Sequence, residues 1–291
     1  MKSENTKKKF LMKGNDSKMN SPLELRVMQE FIETCTISWQ KGWNERNGGN
    51  MSYRMKGEEV AEVEQFFTYD KPFMKIGLKV ENLAGEYFIV TGSGKCYKNV
   101  AKYPEDNICI AQIDEAGESY RIVWGLVNGG KPTSEFSTHL LNHSVKKEAT
   151  DGKFRLIMHA HPVNTVALTF ILPLDSKVFS RELWEMMPEC AFVFPEGLGV
   201  LPWMLCGGTD IAHATGELIR RFNTVIWAHH GVFTSGPDFD EAFGIMETVE
   251  KASEMLVKVI SCGGKRQTMK KEQILALSEN YDVNIDKTLL E

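Results

Sequence analysis

The run Leu156-Ile157-Met158-His159-Ala160-His161-Pro162-Val163-Asn164 constrains this chain more than any other stretch. Three apolar residues make a short buried-strand signal, and alternate side chains of a strand leave the same face, so His159 and His161 point together. Pro162 has no N–H to give to a ladder and stops the strand, leaving the pair at its open end. Two imidazoles side by side are either a hydrogen-bonded core pair or half of a metal site, because neutral imidazole is the commonest protein ligand for a borderline metal such as zinc.

Further along, Thr224-Val225-Ile226-Trp227-Ala228-His229-His230-Gly231-Val232 reads as a second apolar strand ending in histidine. A third imidazole beside the first two would complete a three-histidine site with an open position, the arrangement of catalytic rather than structural zinc. Pro132-Thr133-Ser134-Glu135 opens a helix expected to run to about Thr150-Asp151-Gly152, with Ser or Thr at the cap and Glu in the first turn. Glu135 is thus an ordinary helix-start residue or a carboxylate companion for the imidazoles. His139 and His143, four residues apart on the same helix, are a rival metal pair, although the second-residue Glu of a His-Glu-x-x-His motif is missing.

Two glycine-containing loops could receive an anion. Asn44-Glu45-Arg46-Asn47-Gly48-Gly49-Asn50, ahead of the strand-like Met51–Arg54, is a turn whose backbone N–H groups and Asn amides can also converge on a phosphate. The strand Tyr87–Thr91 leads into Gly92-Ser93-Gly94-Lys95, which fails as a Walker loop because Ile89 and Cys96 occupy the positions of its first Gly and its Ser/Thr. Its N–H groups, hydroxyl and lysine could still serve a phosphate.

The remaining pattern is scaffold. Leu25, Met28, Ile32, Cys35 and Trp39 make one stripe of a helix reaching to about Trp43, and Ile108–Ile113 with Tyr120–Trp124 read as a hairpin. Lys177–Met187 and Thr209–Phe222 look helical; Pro188-Glu189 precedes the apolar run Cys190–Phe194, which would put Glu189 at a strand mouth. Asp240–Cys262 is a long helix with Phe243, Met246, Val249, Met255 and Val259 inward, and Glu272–Ser278 a short one.

A net charge of −5, with no basic stripe interleaved with aromatics, argues against a nucleic-acid partner. Six cysteines without a Cys-x-x-Cys pair read as reduced thiols. Residues 1–20 are polar, Lys-rich and expected to be a disordered tail, and Phe10-Leu11-Met12 is too short for a signal h-region. The apolar window Val163–Leu174 is broken by Asn164, Thr165, Thr169 and Pro173 and is too short to span a membrane. A cytoplasmic location without membrane partners is expected.

The segments Gly42–Asn50, Val90–Lys95, Trp124–Leu126, Pro132–Glu135, His159–His161, Phe194–Gly197, Leu201–Met204 and His230–Phe233, in this order and spacing, resemble the zinc-dependent class II aldolases that act on sugar phosphates. The likeness runs from about residue 21 to the end. It implies an α/β fold, a three-layer αβα sandwich with a largely antiparallel central sheet, forming one domain over 21–291 and assembling as a homotetramer with sites near subunit boundaries. It further implies one zinc ion per subunit on His159, His161 and His230, with His230 preferred to His229 because it immediately precedes Gly231. Glu135 would be the catalytic acid/base, and a metal ligand when the site is empty, with Glu189 as an auxiliary proton carrier. The substrate phosphate would lie on Asn47, Gly49, Asn50, Ser93 and Gly94, with Ser134 nearby. The implied reaction is reversible retro-aldol cleavage of a sugar phosphate to dihydroxyacetone phosphate and an aldehyde. Epimerases or aldolases of other sugar phosphates would keep the same histidines and differ in the aldehyde pocket. An adducin-like scaffold would be expected to lose ligands that are all present here, and a metal-dependent hydrolase fits two phosphate loops less well.

Overall fold

The strand signals converge in one sheet. In the computed structural model, which describes residues 19–291, the strands are β1 (Asn50–Arg54), β2 (Met74–Lys75), β3 (Tyr87–Thr91), β4 (Ile108–Ile113), β5 (Ser119–Gly125), β6 (Leu156–Ala160), β7 (Gly199–Leu201), β8 (Thr224–Trp227) and β9 (Gly231–Gly236). They lie in the order β2-β5-β4-β3-β1-β6-β9-β8-β7, every neighbouring pair antiparallel except β7 with β8. The expected tail lies outside the described residues except for Met19 and Asn20.

The helices are α1 (Arg26–Gln40), α2 (Gly57–Val63), α3 (Pro104–Asn107), α4 (Phe136–Ala149), α5 (Val163–Leu168), α6 (Ser176–Trp184), α7 (Pro188–Val193), α8 (Thr209–Arg221), α9 (Phe239–Ser261) and α10 (Lys271–Tyr281). Alternation along the central strands divides them into two layers. Met51, Tyr53, Leu156, Met158, Ile226 and Val232 face one way and pack with residues of α1, α6, α7 and α9. On the opposite face, Phe88, Val90 and Ala111 meet Phe136 and Leu140 of α4, while Ile157, Val225 and Phe233 meet Ile211 and Ile219 of α8. Helices on both faces of a largely antiparallel sheet give the expected three-layer αβα sandwich. Among the described residues no helix is long and apolar enough to cross a membrane, and all six cysteines are free.

Four elements differ from the sequence reading. The buried stripe of α1 is Val27, Met28, Phe31, Thr34 and Cys35, while Trp39 is exposed and the helix ends at Gln40, where the chain turns through Gly42 at φ +78°. Cys190–Val193 belong to helix α7, not a strand, with Phe194 as its C-cap: Pro188 starts the helix, and Cys190, Ala191 and Phe194 are buried together. The second histidine strand is a hairpin, β8 and β9, with His229 and His230 in the turn between them. The inward face of α9 likewise includes Ala242, Ile245, Ala252 and Leu256, with Met255 and Val259 only half-buried.

Helix α4 buries a polar face. Thr138, His139, Asn142 and His143 are fully buried against β1, where Ser52 Oγ lies 2.7 Å from His139 Nδ1 and 2.8 Å from His143 Nε2. The rival metal pair is therefore spread around a serine hydroxyl and held as structural hydrogen-bonding groups. Burial pushes the His139 imidazole down to about 3, and burial with His139 and Arg54 beside it pushes His143 well below its ordinary range.

Both imidazoles are neutral when folded but titrate near 6.5 when unfolded. The unfolded chain therefore binds protons first as pH falls. Their contribution to stability is complete above pH 6.5 and is lost below it, on the order of 1 kcal/mol per imidazole for each pH unit. Urea unfolding of the metal-free protein is expected to show a lower midpoint at pH 5 than at pH 7, with a smaller difference in a His139→Gln/His143→Gln double variant. Equal midpoints for the unsubstituted protein at the two pH values would contradict this account.

Candidate active site

Strand β6 carries His159 at its end and His161 one residue beyond. Its partner β9 pairs Phe233 with His159 and Val232 with Ala160, which brings the β8–β9 turn and His230 alongside. The three rings form a near-equilateral triangle, with centroid separations of 5.2 Å for His159–His161, 5.1 Å for His159–His230 and 5.2 Å for His161–His230. Their donor atoms all lie within 4.8 Å of one another. His229 turns the other way: its backbone is left-handed at φ 62°, its Nδ1 lies 3.1 Å from Thr169 Oγ1, and its ring packs on Phe170. The doublet is thus divided, His230 inward and His229 against α5.

The hydrogen bonds of the triad fix where its lone pairs lie. A carbonyl oxygen can only accept, so His159 donates from Nδ1 to Val232 O at 3.1 Å, leaving the lone pair on Nε2. His161 likewise donates from Nδ1 to the Glu45 carboxylate at 2.8 Å. His159 Nε2 and His161 Nε2 are buried with no hydrogen-bond partner. Burial, then the neighbouring imidazoles His161 and His230, hold His159 well below its ordinary range; burial and then His161 push His230 down to about 4. The bare Nε2 atoms of His159 and His161, each with its opposite ring nitrogen anchored on a protein oxygen, together with the His230 ring make the donor set a divalent metal requires.

Glu135 faces this triangle. It is the N-cap of α4, yet its side chain makes no cap hydrogen bond; its own N–H donates to Thr133 Oγ1 at 3.3 Å. The expected Ser/Thr cap is therefore replaced by a carboxylate turned into the site. Its Oε2 lies 3.8 Å from His159 Nε2 and accepts from Asn50 Nδ2 at 2.9 Å. Burial raises the carboxyl above its ordinary value, opposed by the Asn50 hydrogen bond and by His161. The amide continues inward, since Asn50 Oδ1 is bonded to His139 Nε2, His139 to the Ser52 hydroxyl, and that hydroxyl to His143. Asn50, expected on the phosphate, thus has both ends of its amide committed to Glu135 and His139.

The glycines of the first loop are required by close packing as well as by the turn. A Cβ on Gly48 would meet Glu45 Oε1 and His161 Cε1 at 2.8 Å, and one on Gly49, at φ +73°, would collide with Asn44 Nδ2 and meet His159 O at 2.7 Å. Asn47 is exposed on the same loop. The second loop is tied to the segment that delivers Glu135: Ser93 N donates to Lys131 O and Thr133 N to Thr91 O, both at 2.8 Å. Ser93 and Ser134 line a cavity of about 480 Å³ with Lys75, Lys131 and Thr133. Lys131 directly precedes the Pro132–Glu135 segment, whereas Lys75 carries no sequence signal and reaches this cavity only through the fold. The larger groove, about 1270 Å³ between α1, α2 and the start of α9, contains none of these residues. Glu189 is exposed in the first turn of α7 and makes no hydrogen bond or ion pair with the triad or Glu135. Glu45, the anchor of His161, carries no sequence signal for that role, because its partner is 116 positions away.

Comparison with known proteins agrees with this geometry. Residues 29–257 match the family model described as the class II aldolase and adducin N-terminal domain. The chain is 47% identical over 256 residues to the rhamnulose-1-phosphate aldolase of Mannheimia succiniciproducens, covering 88% of this chain and 94% of that one. It is 44% identical over 265 residues to the rhamnulose-1-phosphate aldolase of Pectobacterium atrosepticum, covering 91% and 97%. Among solved structures it resembles a sugar-phosphate aldolase from Thermotoga maritima, with TM-score 0.71, 28% identity, and coverage of 82% of this chain and 97% of that one. With its fold, its histidine triangle and a family match over most of its length, the chain belongs to the class II aldolase and adducin family.

Proposed function

We propose that this chain cleaves L-rhamnulose 1-phosphate reversibly to dihydroxyacetone phosphate and L-lactaldehyde, with zinc as its metal. The observation that carries the reading is the convergence of three imidazoles, two of them with bare buried Nε2 atoms, beside the buried carboxylate of Glu135. Relatives at 44–47% identity that carry the rhamnulose-1-phosphate aldolase name support the choice of sugar. One zinc ion per subunit on His159, His161 and His230 would supply Lewis-acid stabilisation of the negative charge that develops as the C3–C4 bond breaks.

The chain's own groups do the rest. Backbone N–H groups of Gly49 and Gly94, the amide of Asn47 and the hydroxyls of Ser93 and Ser134 hold the phosphate, with Lys75 and Lys131 adding positive charge at the cavity. Binding energy taken up there, remote from the scissile bond, orients C3 and C4 at the triad. Asn50 acts through Glu135 by holding one carboxylate oxygen. Glu135 delivers a proton to C3, a task suited to a carboxyl whose burial raises its proton affinity. Glu189 takes the proton of the C4 hydroxyl; because it lies away from the triad in the single chain, that role needs a neighbouring subunit, as in a homotetramer with sites near its subunit boundaries. The reaction belongs to cytoplasmic sugar catabolism.

Purified protein is expected to release dihydroxyacetone phosphate from L-rhamnulose 1-phosphate in a coupled assay, to stop after EDTA treatment and to resume when zinc is restored. Absence of cleavage by zinc-loaded protein would sink the rhamnulose reading, and parallel assays with L-fuculose 1-phosphate and a pentulose phosphate would then identify the sugar. Glu135→Gln is expected to keep its fold and its zinc while kcat falls by about 10²–10⁴-fold. A wild-type kcat from that variant, with zinc content measured in the same sample, would remove Glu135 from proton transfer.

A further inference from the structure

Helix α4 meets strand β1 with matching steps. Glu135, His139 and His143 follow one another at intervals of four residues, a rise of about 6 Å on a helix, while Asn50 and Ser52 leave the same face of β1 about 6.5–7 Å apart. The two sets therefore interleave, helix and strand by turns, in the order Glu135, Asn50, His139, Ser52, His143. Ser52 is fully buried and bonds to neither the triad nor Glu135. Its place in the middle of the series nevertheless gives it a say in how Glu135 is held.

Each hydrogen bond of the series has one possible direction. An ionised carboxylate only accepts, so the Asn50 amide turns Nδ2 to Glu135 Oε2 and Oδ1 to His139. An amide oxygen also only accepts. His139, neutral through burial, therefore carries its proton on Nε2 and leaves Nδ1 bare. That bare nitrogen takes the Ser52 hydroxyl proton at 2.7 Å. A hydroxyl has one proton to give, so His143 Nε2, 2.8 Å from the same oxygen, must donate, and His143 Nδ1 is bare in turn. The far end agrees with this direction. Arg54 is the next residue on that face of β1, its Nε–H can only donate, and both this group and His143 Nδ1 are buried without a partner among the described residues. Packing keeps the rings from turning over, His139 against Phe233 with centroids 5.6 Å apart and His143 against Phe88 at 5.1 Å. Every donor of the series thus points toward Glu135.

We propose that Ser52 is a positioning residue for Glu135: by giving its proton to His139 it holds the Asn50 amide with Nδ2 toward Oε2, so that a proton carried by Glu135 stays on Oε1, free for transfer. In the opposite amide orientation Oδ1 would face Oε2. A protonated Glu135 would then donate to Asn50, and the proton needed at carbon would be tied up in that bond. Without the hydroxyl, His139 is free to carry its proton on Nδ1, and its bare Nε2 then draws the amide N–H inward. Ser52 itself touches no reacting atom, and no proton passes along the series. The catalytic half of the inference rests on the reading of Glu135 as the proton donor to C3; the proton positions do not.

The first test is neutron diffraction from deuterium-exchanged crystals of the full-length, zinc-loaded protein, which reads proton positions directly. Deuterium is expected on His139 Nε2 and His143 Nε2, with the Ser52 O–D aimed at His139 Nδ1 and the Asn50 ND₂ group facing Glu135. Deuterium on Nδ1 of either histidine, or an Asn50 Oδ1 facing Glu135, would overturn the proposal. The second test is kinetic. Ser52→Ala is expected to lower kcat for L-rhamnulose 1-phosphate by about tenfold or more, a part of what a positioned acid contributes, with KM and zinc content unchanged. Ser52→Cys, close to serine in size and only a weak donor, is expected to fall between the two and carries the comparison should Ser52→Ala not fold. An undiminished kcat in these variants, or a rise in KM alone, would leave Ser52 a merely structural residue. Failure of the unsubstituted protein to cleave any sugar phosphate would overturn the functional reading and the catalytic role of Ser52 together, whereas the deuterium pattern is read without turnover.

Discussion

The register of β6 at the middle of the sheet holds the site together. On one side β6 pairs with β1, setting Asn50 opposite His159; on the other it pairs with β9, setting Phe233 opposite His159. One register therefore decides three things: which face His159 occupies, where the Asn50 amide meets Glu135, and how near the β8–β9 turn brings His230. A slip of one residue would send His159 through the sheet to the side of α1 and α9. Met51, Tyr53, Met158 and Ala160 are buried on that side, so the slip would bring a polar imidazole into an apolar layer.

The same register requires polar groups in the interior between β1 and α4, and their cost is offset by pairing. Glu135, Asn50, His139, Ser52 and His143 form one continuous hydrogen-bonded series through buried space. Removing any middle member would leave its neighbours desolvated without partners, which costs more than the bond itself contributes. The series also explains a carboxylate at a helix N-terminus that caps nothing. Glu135 forgoes the local bond available to it at the start of α4 and is held instead from the neighbouring strand, facing the imidazoles.

Much of this was legible in the chain. Tyr87–Thr91 is a strand with the bounds that its β-branched and aromatic run suggests, and Ile108–Ile113 pairs with the strand beginning at Ser119 as a hairpin. The His159–His161 pair sits together because period-two alternation is local, and local patterns survive folding. What escaped depends on contacts between distant segments. Cys190–Phe194 is apolar enough for a strand and too short for periodicity to exclude one, so the Pro188 start and packing on α9 decided for a helix. His139 and His143 carry helical spacing that suits a metal as well as it suits Ser52, and only the position of β1 distinguishes the two. Glu45 and Lys75 have no local pattern, since each gains its setting from residues far away in sequence.

The strand order has a consequence for how copies of this chain can meet. A nine-stranded sheet usually presents two long rows of unpaired N–H and C=O groups, a template for adding a strand from another molecule. Here the outermost strands are β2, with two residues, and β7, with three, so each margin offers little more than a single ladder step. The long strands, five to seven residues each, are almost all enclosed on both sides. Association by sheet extension is thereby made unfavourable, and the surfaces left for any contact between copies are the side chains of helices and loops.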